Sequence, residues 1–140
     1  MVTISINYAG ELRCTSTHDP SGSQLSTDAP IDNNGKGETF SPTDLVASAL
    51  GSCMATIMGI VAERKGISLE GLKLNVEKHM SEDAPRRISK LPVTIHIPVT
   101  EGDKYKDLMI NAALSCPVHQ SLHSSIEVPI TWIWLEKNDT

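Results

Sequence analysis

Aromatic residues are scarce in this chain. Two Trp, two Tyr and one Phe make up 4% of 140 residues, so aliphatic and small side chains must do most of the packing. A basic stripe is also missing. The net charge is −5, and the pairs Arg64-Lys65 and Arg86-Arg87 are too short to track a phosphate backbone, so no nucleic-acid partner is expected. The start, Met1-Val2-Thr3-Ile4-Ser5-Ile6, alternates like a strand and lacks a basic leader before an apolar block, so no secretory signal is expected. Cysteine is limited to Cys14, Cys53 and Cys116, an odd number with no C-x-x-C. That argues against a secreted disulfide framework and for a reducing compartment, the cytoplasm, where a disulfide would be transient and chemical. Repeats, low-complexity tracts and linkers are absent, and the length suits a single domain over residues 1–140.

The patterning that is present predicts an α+β fold. Residues 2–8 and 12–17 read as a hairpin turning near Ala9-Gly10, with a short third strand around 24–28. Residues 29–41 are rich in Pro, Asn and Gly, as a surface loop would be. Strands are predicted in 69–79 and 91–98, and a last strand in 127–135 places Val128, Ile130, Trp132 and Trp134 on one face. Between them, 80–89 reads as a polar turn and 103–115 as a helix capped by Asp103 and ended by Pro117, with a helical turn to about 123. Strands and helices do not alternate strictly, so antiparallel sheets around buried helices are expected.

The segment after Ser41 is the most informative. Ser41-Pro42 has the form of an N-cap followed by Pro at the first helical position, and Asp44 adds negative charge to the first turn. Residues 45–62 carry no charge, and Gly66 follows Glu63-Arg64-Lys65 as a C-terminal stop. Eighteen uncharged residues reach the length of a membrane span. The span reading is rejected because Ser48, Ser52, Cys53 and Thr56 interrupt the segment and no Trp or Tyr borders it. A soluble helix that is apolar all round must be buried on every side. Ser48, Ser52, Ala55 and Gly59 form a small-residue stripe that lets a second helix approach, and a chain this short has little material to wrap the helix alone. A partner chain is therefore expected to help.

Cys53 sits in the middle of this helix, where a plain packing role is the ordinary alternative. Cys116 directly precedes Pro117-Val118-His119 and is placed to cap a short helix, whose outward N–H groups favour an anion. If the two meet, one thiolate can attack a peroxide and become a sulfenic acid, and the second can condense with it to a disulfide. The sequence alone does not bring them together. Cys14 reads as a strand residue, and its neighbour Arg13 points to the opposite face, so Arg13 could serve only a different cysteine. Cys116, His119 and His123 form a C-x-x-H-x-x-x-H pattern, but a structural zinc site takes four ligands, and no metal is expected. His18, His79 and His96 read as ordinary strand or turn residues.

The stretch F-S-P-T-D-L-V-A-S-A-L-G-S-C at Phe40–Cys53 resembles the helix signature of the OsmC/Ohr family, N-P-E-x-L followed by small residues and the peroxidatic cysteine. C-P-V-H at 116–119 resembles that family's second-cysteine motif. L-R-C-T-S-T-H and T-D-A-P-I-D-N-N-G-K-G-E resemble a less-characterised branch, so the resemblance spans nearly the whole chain. It implies an intertwined homodimer, with central helices wrapped by two sheets and active sites at the interface. It also implies Cys53 as peroxidatic cysteine, Cys116 as resolving cysteine, organic hydroperoxides as substrates, a lipoyl-type dithiol as reductant, and no cofactor. An early-strand arginine stabilises the thiolate in that family, and Arg13 is the candidate by position. One departure stands out, because Thr43 occupies the place of the family's Glu. Asp44, nine residues before Cys53, falls on the opposite helix face and is a poor substitute. The lost Glu keeps open a non-catalytic alternative, a hydrophobic-ligand-binding or redox-sensing protein.

Overall fold

The structure, a computed structural model, describes residues 1–136. The chain forms two compact units, one over residues 1–46 and the other from Ala47 onward.

In the first unit, β1 (Ile4–Gly10), β2 (Arg13–His18) and β3 (Gln24–Asp28) make an antiparallel sheet in the order β1-β2-β3. The β1–β2 turn falls on Glu11 and Leu12 rather than on Ala9-Gly10. Both residues have positive φ, 55° and 63°, and Gly10 pairs with Arg13. This sign at two central positions is the hairpin geometry usually supplied by Asn-Gly, which explains why composition misplaced it. The Leu12 N–H donates to the Tyr8 hydroxyl at 3.2 Å, a side-chain tie that helps hold the turn.

The segment after β3 is a closed loop containing a single 3₁₀ turn, Ile31–Asn33. Its ends are stitched by the Asp28 N–H donating to the Phe40 carbonyl at 3.0 Å, and its middle by the Gly37 N–H donating to the Ala29 carbonyl at 3.2 Å. At Gly35 a Cβ would lie 1.7 Å from the Ala29 carbonyl oxygen. No side-chain rotation relieves a clash with backbone, so Gly35→Ala must reopen the loop. The expected cost is at least about 2–3 kcal/mol, the upper range of overpacking, read as a drop in the thermal midpoint.

The second unit contains a sheet in the order β4-β7-β8 and a small hairpin of β5 (His79–Met80) with β6 (Ile88–Lys90). In the larger sheet β4 is Lys73–Val76, β7 is Val93–Thr100 and β8 is Ile130–Leu135. The predicted polar turn at 80–89 thus includes short paired strands. β4 and β7 pair antiparallel, but β7 and β8 run parallel, which departs from the all-antiparallel expectation. The cause is the connection. Helices α2 (Lys106–Leu114) and α3 (Pro117–Ser121) carry the chain back across the sheet, and such a crossover delivers a parallel strand. The α2 helix starts three residues later than predicted, because the Asp103 carboxylate turns back to accept the Tyr105 N–H at 2.8 Å and closes a turn. Trp132 and Trp134 stack with centroids 5.2 Å apart on the face that β7 fills with Val93, Ile95 and Ile97.

The long helix α1 (Pro42–Lys65) begins in the first unit and continues through the second. Its start is a reciprocal cap. The Asp44 N–H donates to the Ser41 hydroxyl at 3.1 Å, and the Ser41 N–H donates to the Asp44 carboxylate at 2.9 Å. Its end is Gly66, at φ 67°. Ala47, Leu50, Gly51, Met54, Met58 and Ala62 form the buried stripe. Gly51 lets the helix close on β4, where a Cβ would meet the Val76 side chain at 3.0 Å. The helix is long and apolar enough to cross a membrane by length and composition, but a third of its apolar stretch is buried inside the protein, and Gly51 closes on Val76 of β4. The expectation of burial on every side does not hold for one chain: Ser48, Ser52, Thr56 and Ile60, spaced four apart, stay exposed.

Candidate active site

Cys53 and Cys116 both lie in the second unit, and their thiols interact. Cys53 lies beside the buried stripe of α1 and is half-buried. Cys116 has 0% exposure and caps α3, with the His119 N–H donating to its sulfur at 3.3 Å. Its thiol also interacts with the neighbouring Cys53 thiol. Both are free thiols, as is Cys14.

The local sequence explains how Cys116 reaches this place. Pro117 cannot extend α2, so the backbone turns extended at Cys116 (φ −61°, ψ 138°) and restarts as α3. The turn leaves the cysteine buried, as are Met109, Ala112 and Ala113 of α2, and the Cys116 N–H donates to the Ala113 carbonyl at 3.4 Å. Burial pushes the Cys116 thiol above its ordinary pKa. The His119 N–H opposes that rise, and the neighbouring Cys53 adds to it. Cys116 is therefore held as a neutral thiol at physiological pH, suited to follow a first oxidation rather than to begin one.

Arg13 belongs to the first unit. Its Nε and Nη2 donate to the two Asp28 carboxylate oxygens at 2.7 and 2.9 Å, and Nη2 also donates to Glu38 at 3.0 Å. Asp28 is 1% exposed and accepts the Glu38 N–H at 3.1 Å as well. The sequence reading missed both carboxylates. They lie in a strand end and a Gly-rich loop without a motif, and only the β2–β3 register, Arg13 opposite Asp28, reveals the pairing. As expected, Arg13 and Cys14 take opposite faces of β2: Cys14 pairs with Tyr8 and Thr27, on the face that carries Ile6 and Leu25.

The Arg13 guanidinium, followed by the Glu38 N–H, holds the Asp28 carboxyl below the usual range, against the opposing pull of burial. A carboxyl with a depressed folded-state pKa contributes stability above its unfolded value of about 3.9, and that contribution is lost as pH falls through the folded value. Asp28→Asn should therefore lower the thermal midpoint at pH 7 and weaken the fall of that midpoint between pH 4 and 2. An unchanged acid limb would show that the pair does not contribute to stability.

The other candidates are accounted for locally. Asp44 is the capping carboxylate of α1. The His119 ring faces the Leu114 carbonyl through Nδ1 at 3.2 Å, and His123 Nδ1 faces the Ser125 hydroxyl at 2.7 Å. Among the described residues no three His, Cys, Asp or Glu side chains are grouped as a metal site requires. An open depression of about 460 Å³ in the first unit is lined by Pro30, Ile31, Asp32, Gly37, Thr39 and Asp44, and no cysteine borders it.

The family model described as OsmC-like protein matches residues 35–131. No curated protein sequence matches the chain. Among solved structures, the chain is similar to a Psychrobacter arcticus protein described as osmotic-stress induced and part of a detoxification response. The identity is 42%, with 95% of this chain and 96% of that one covered and a TM-score of 0.88. An organic hydroperoxide resistance protein from Legionella pneumophila matches at 18% identity, 94% and 96% coverage and TM-score 0.75. Another from Elizabethkingia anophelis matches at 17% identity, 96% and 98% coverage and TM-score 0.75. The latter two likenesses establish a common fold.

Proposed function

This chain belongs to the OsmC-like protein family, and on that premise we propose that it is a thiol-dependent peroxidase that reduces organic hydroperoxides in oxidative-stress defence. The observation that supports the reading most is the contact between the thiols of Cys53 and Cys116. Fold relatives named for organic hydroperoxide resistance point the same way.

The half-buried Cys53 is the attacking group. Its thiolate displaces an alkoxide from the peroxide O–O bond, giving a Cys53 sulfenic acid and, after proton transfer, an alcohol. The Cys116 thiol then attacks the sulfenic sulfur, releasing water and forming the Cys53–Cys116 disulfide. Two electrons from an external dithiol, of lipoyl type, restore both thiols. No metal or organic cofactor takes part. Arg13 is assigned the positive charge that favours the Cys53 thiolate, with Asp28 and Glu38 fixing its fork. A second copy of the chain covers the exposed Ser48, Ser52, Thr56 and Ile60 face of α1, forming a homodimer in the cytoplasm.

The rival reading, a hydrophobic-ligand-binding or redox-sensing protein, is favoured by Thr43 at the family's Glu position and by the use of Asp44 as a helix cap. Steady-state turnover separates the two. With cumene hydroperoxide and dihydrolipoamide, continuous peroxide loss supports the peroxidase. Absence of turnover with every dithiol offered, together with a lipid-like molecule retained on purification, supports the rival.

A further inference from the structure

We propose that the external reductant attacks only Cys53, so that the mixed disulfide of the reductive half-reaction forms on the α1 cysteine and Cys116 is always the leaving group. The proposal rests on the peroxidase reading and concerns which sulfur meets the partner.

Thiol–disulfide exchange requires the incoming thiolate to reach one sulfur in line with the bond that breaks. Of the two residues, Cys116 has 0% exposure in the single chain, while Cys53 is half-buried and is the one with surface open to solvent. A second copy of the chain can only bury surface, never add it. Cys116 is therefore closed to a reductant in a monomer and in any assembly that keeps this fold. The two thiols already interact in the reduced chain, so on this proposal Cys116 stays buried when the disulfide forms.

One thiolate of the dithiol attacks Cys53 Sγ, a bond forms between those two sulfurs, and the Cys53–Cys116 bond breaks. The electron pair leaves on Cys116 Sγ, which accepts the His119 N–H at 3.3 Å. The second thiol of the reductant then attacks its own sulfur in the mixed disulfide and expels Cys53 as a thiolate. The reductant departs as a cyclic disulfide, oxidised by two electrons, and its remaining proton goes to Cys116. The cycle thus returns the charged sulfur to the accessible position and the proton to the buried one, which is the state needed for the next peroxide.

The test uses the oxidised full chain and a monothiol, 2-mercaptoethanol, which cannot complete the second step. After brief reaction, acid quench and alkylation of free thiols, peptide mass spectrometry locates the adduct and the alkyl group. The expected result is the mercaptoethanol adduct on Cys53 and the alkyl group on Cys116, in roughly tenfold excess or more over the reverse, as access dictates. Equal distribution, or the adduct on Cys116, overturns the proposal while leaving the peroxidase reading standing. Failure of the peroxide-treated chain to form an intramolecular disulfide overturns both.

Discussion

Cys53→Ser is expected to abolish hydroperoxide consumption, lowering the rate by at least about a thousandfold, the scale on which losing a nucleophile is felt. Oxygen replaces sulfur with little change of volume, and Cys53 is only half-buried, so the fold should survive and the thermal midpoint should move little. The serine hydroxyl is protonated at neutral pH and attacks peroxide poorly, whereas the proposed nucleophile is a polarisable thiolate. Initial-rate measurement with cumene hydroperoxide checks the outcome, with circular dichroism as the folding control. Full activity in the variant would remove Cys53 from the mechanism and return it to a packing role.

Cys116→Ser should give a different loss. The first peroxide is still consumed at close to the normal rate, because Cys53 retains its thiolate chemistry. Sustained turnover with a dithiol falls by about tenfold or more, because the sulfenic acid no longer has a resolving thiol in contact with it. Continued exposure should then carry Cys53 to sulfinic and sulfonic acids, seen as additions of two and three oxygens on its peptide. A Cys116→Ser protein with undiminished turnover and no over-oxidation would show that the reductant resolves Cys53 directly. The serine hydroxyl would occupy a fully buried site, where the His119 N–H remains as a donor to it, so the stability cost is modest.

Much of this arrangement was legible in the sequence. The charge-free run from Leu45 to Ala62, with Ser41-Pro42 before it and Gly66 after it, marked α1 at both ends because caps are local chemistry. The alternation of Val93, Ile95 and Ile97 marked β7 because a half-covered sheet imposes period two. Pro117 correctly marked the break before α3, and with it the capping position of Cys116. What was hidden depends on residues distant in sequence. The β1–β2 turn at Glu11-Leu12 uses left-handed backbone without the glycine that usually announces it. The parallel pairing of β8 with β7 follows from a crossover, not from either strand's own pattern. The Asp28 and Glu38 grip on Arg13 becomes visible only when β2 and β3 are in register.

The exposed edge of α1 carries a related lesson. The sequence predicted a helix covered on all sides with a partner chain's help, and one chain buries the Leu50, Met54 and Met58 stripe and leaves Ser48, Ser52, Thr56 and Ile60 open. The absence of charge marked the helix for cover, and the shortness of the chain marked that cover as more than one chain supplies.

The most direct measurement is the intact mass and peptide map of the wild-type chain after one equivalent of organic hydroperoxide. The account predicts a loss of two hydrogens, about 2 Da, and one disulfide-linked peptide pair joining Cys53 to Cys116. A stable oxygen adduct on Cys53 beside an unmodified Cys116, or no oxidation at either sulfur, would contradict it.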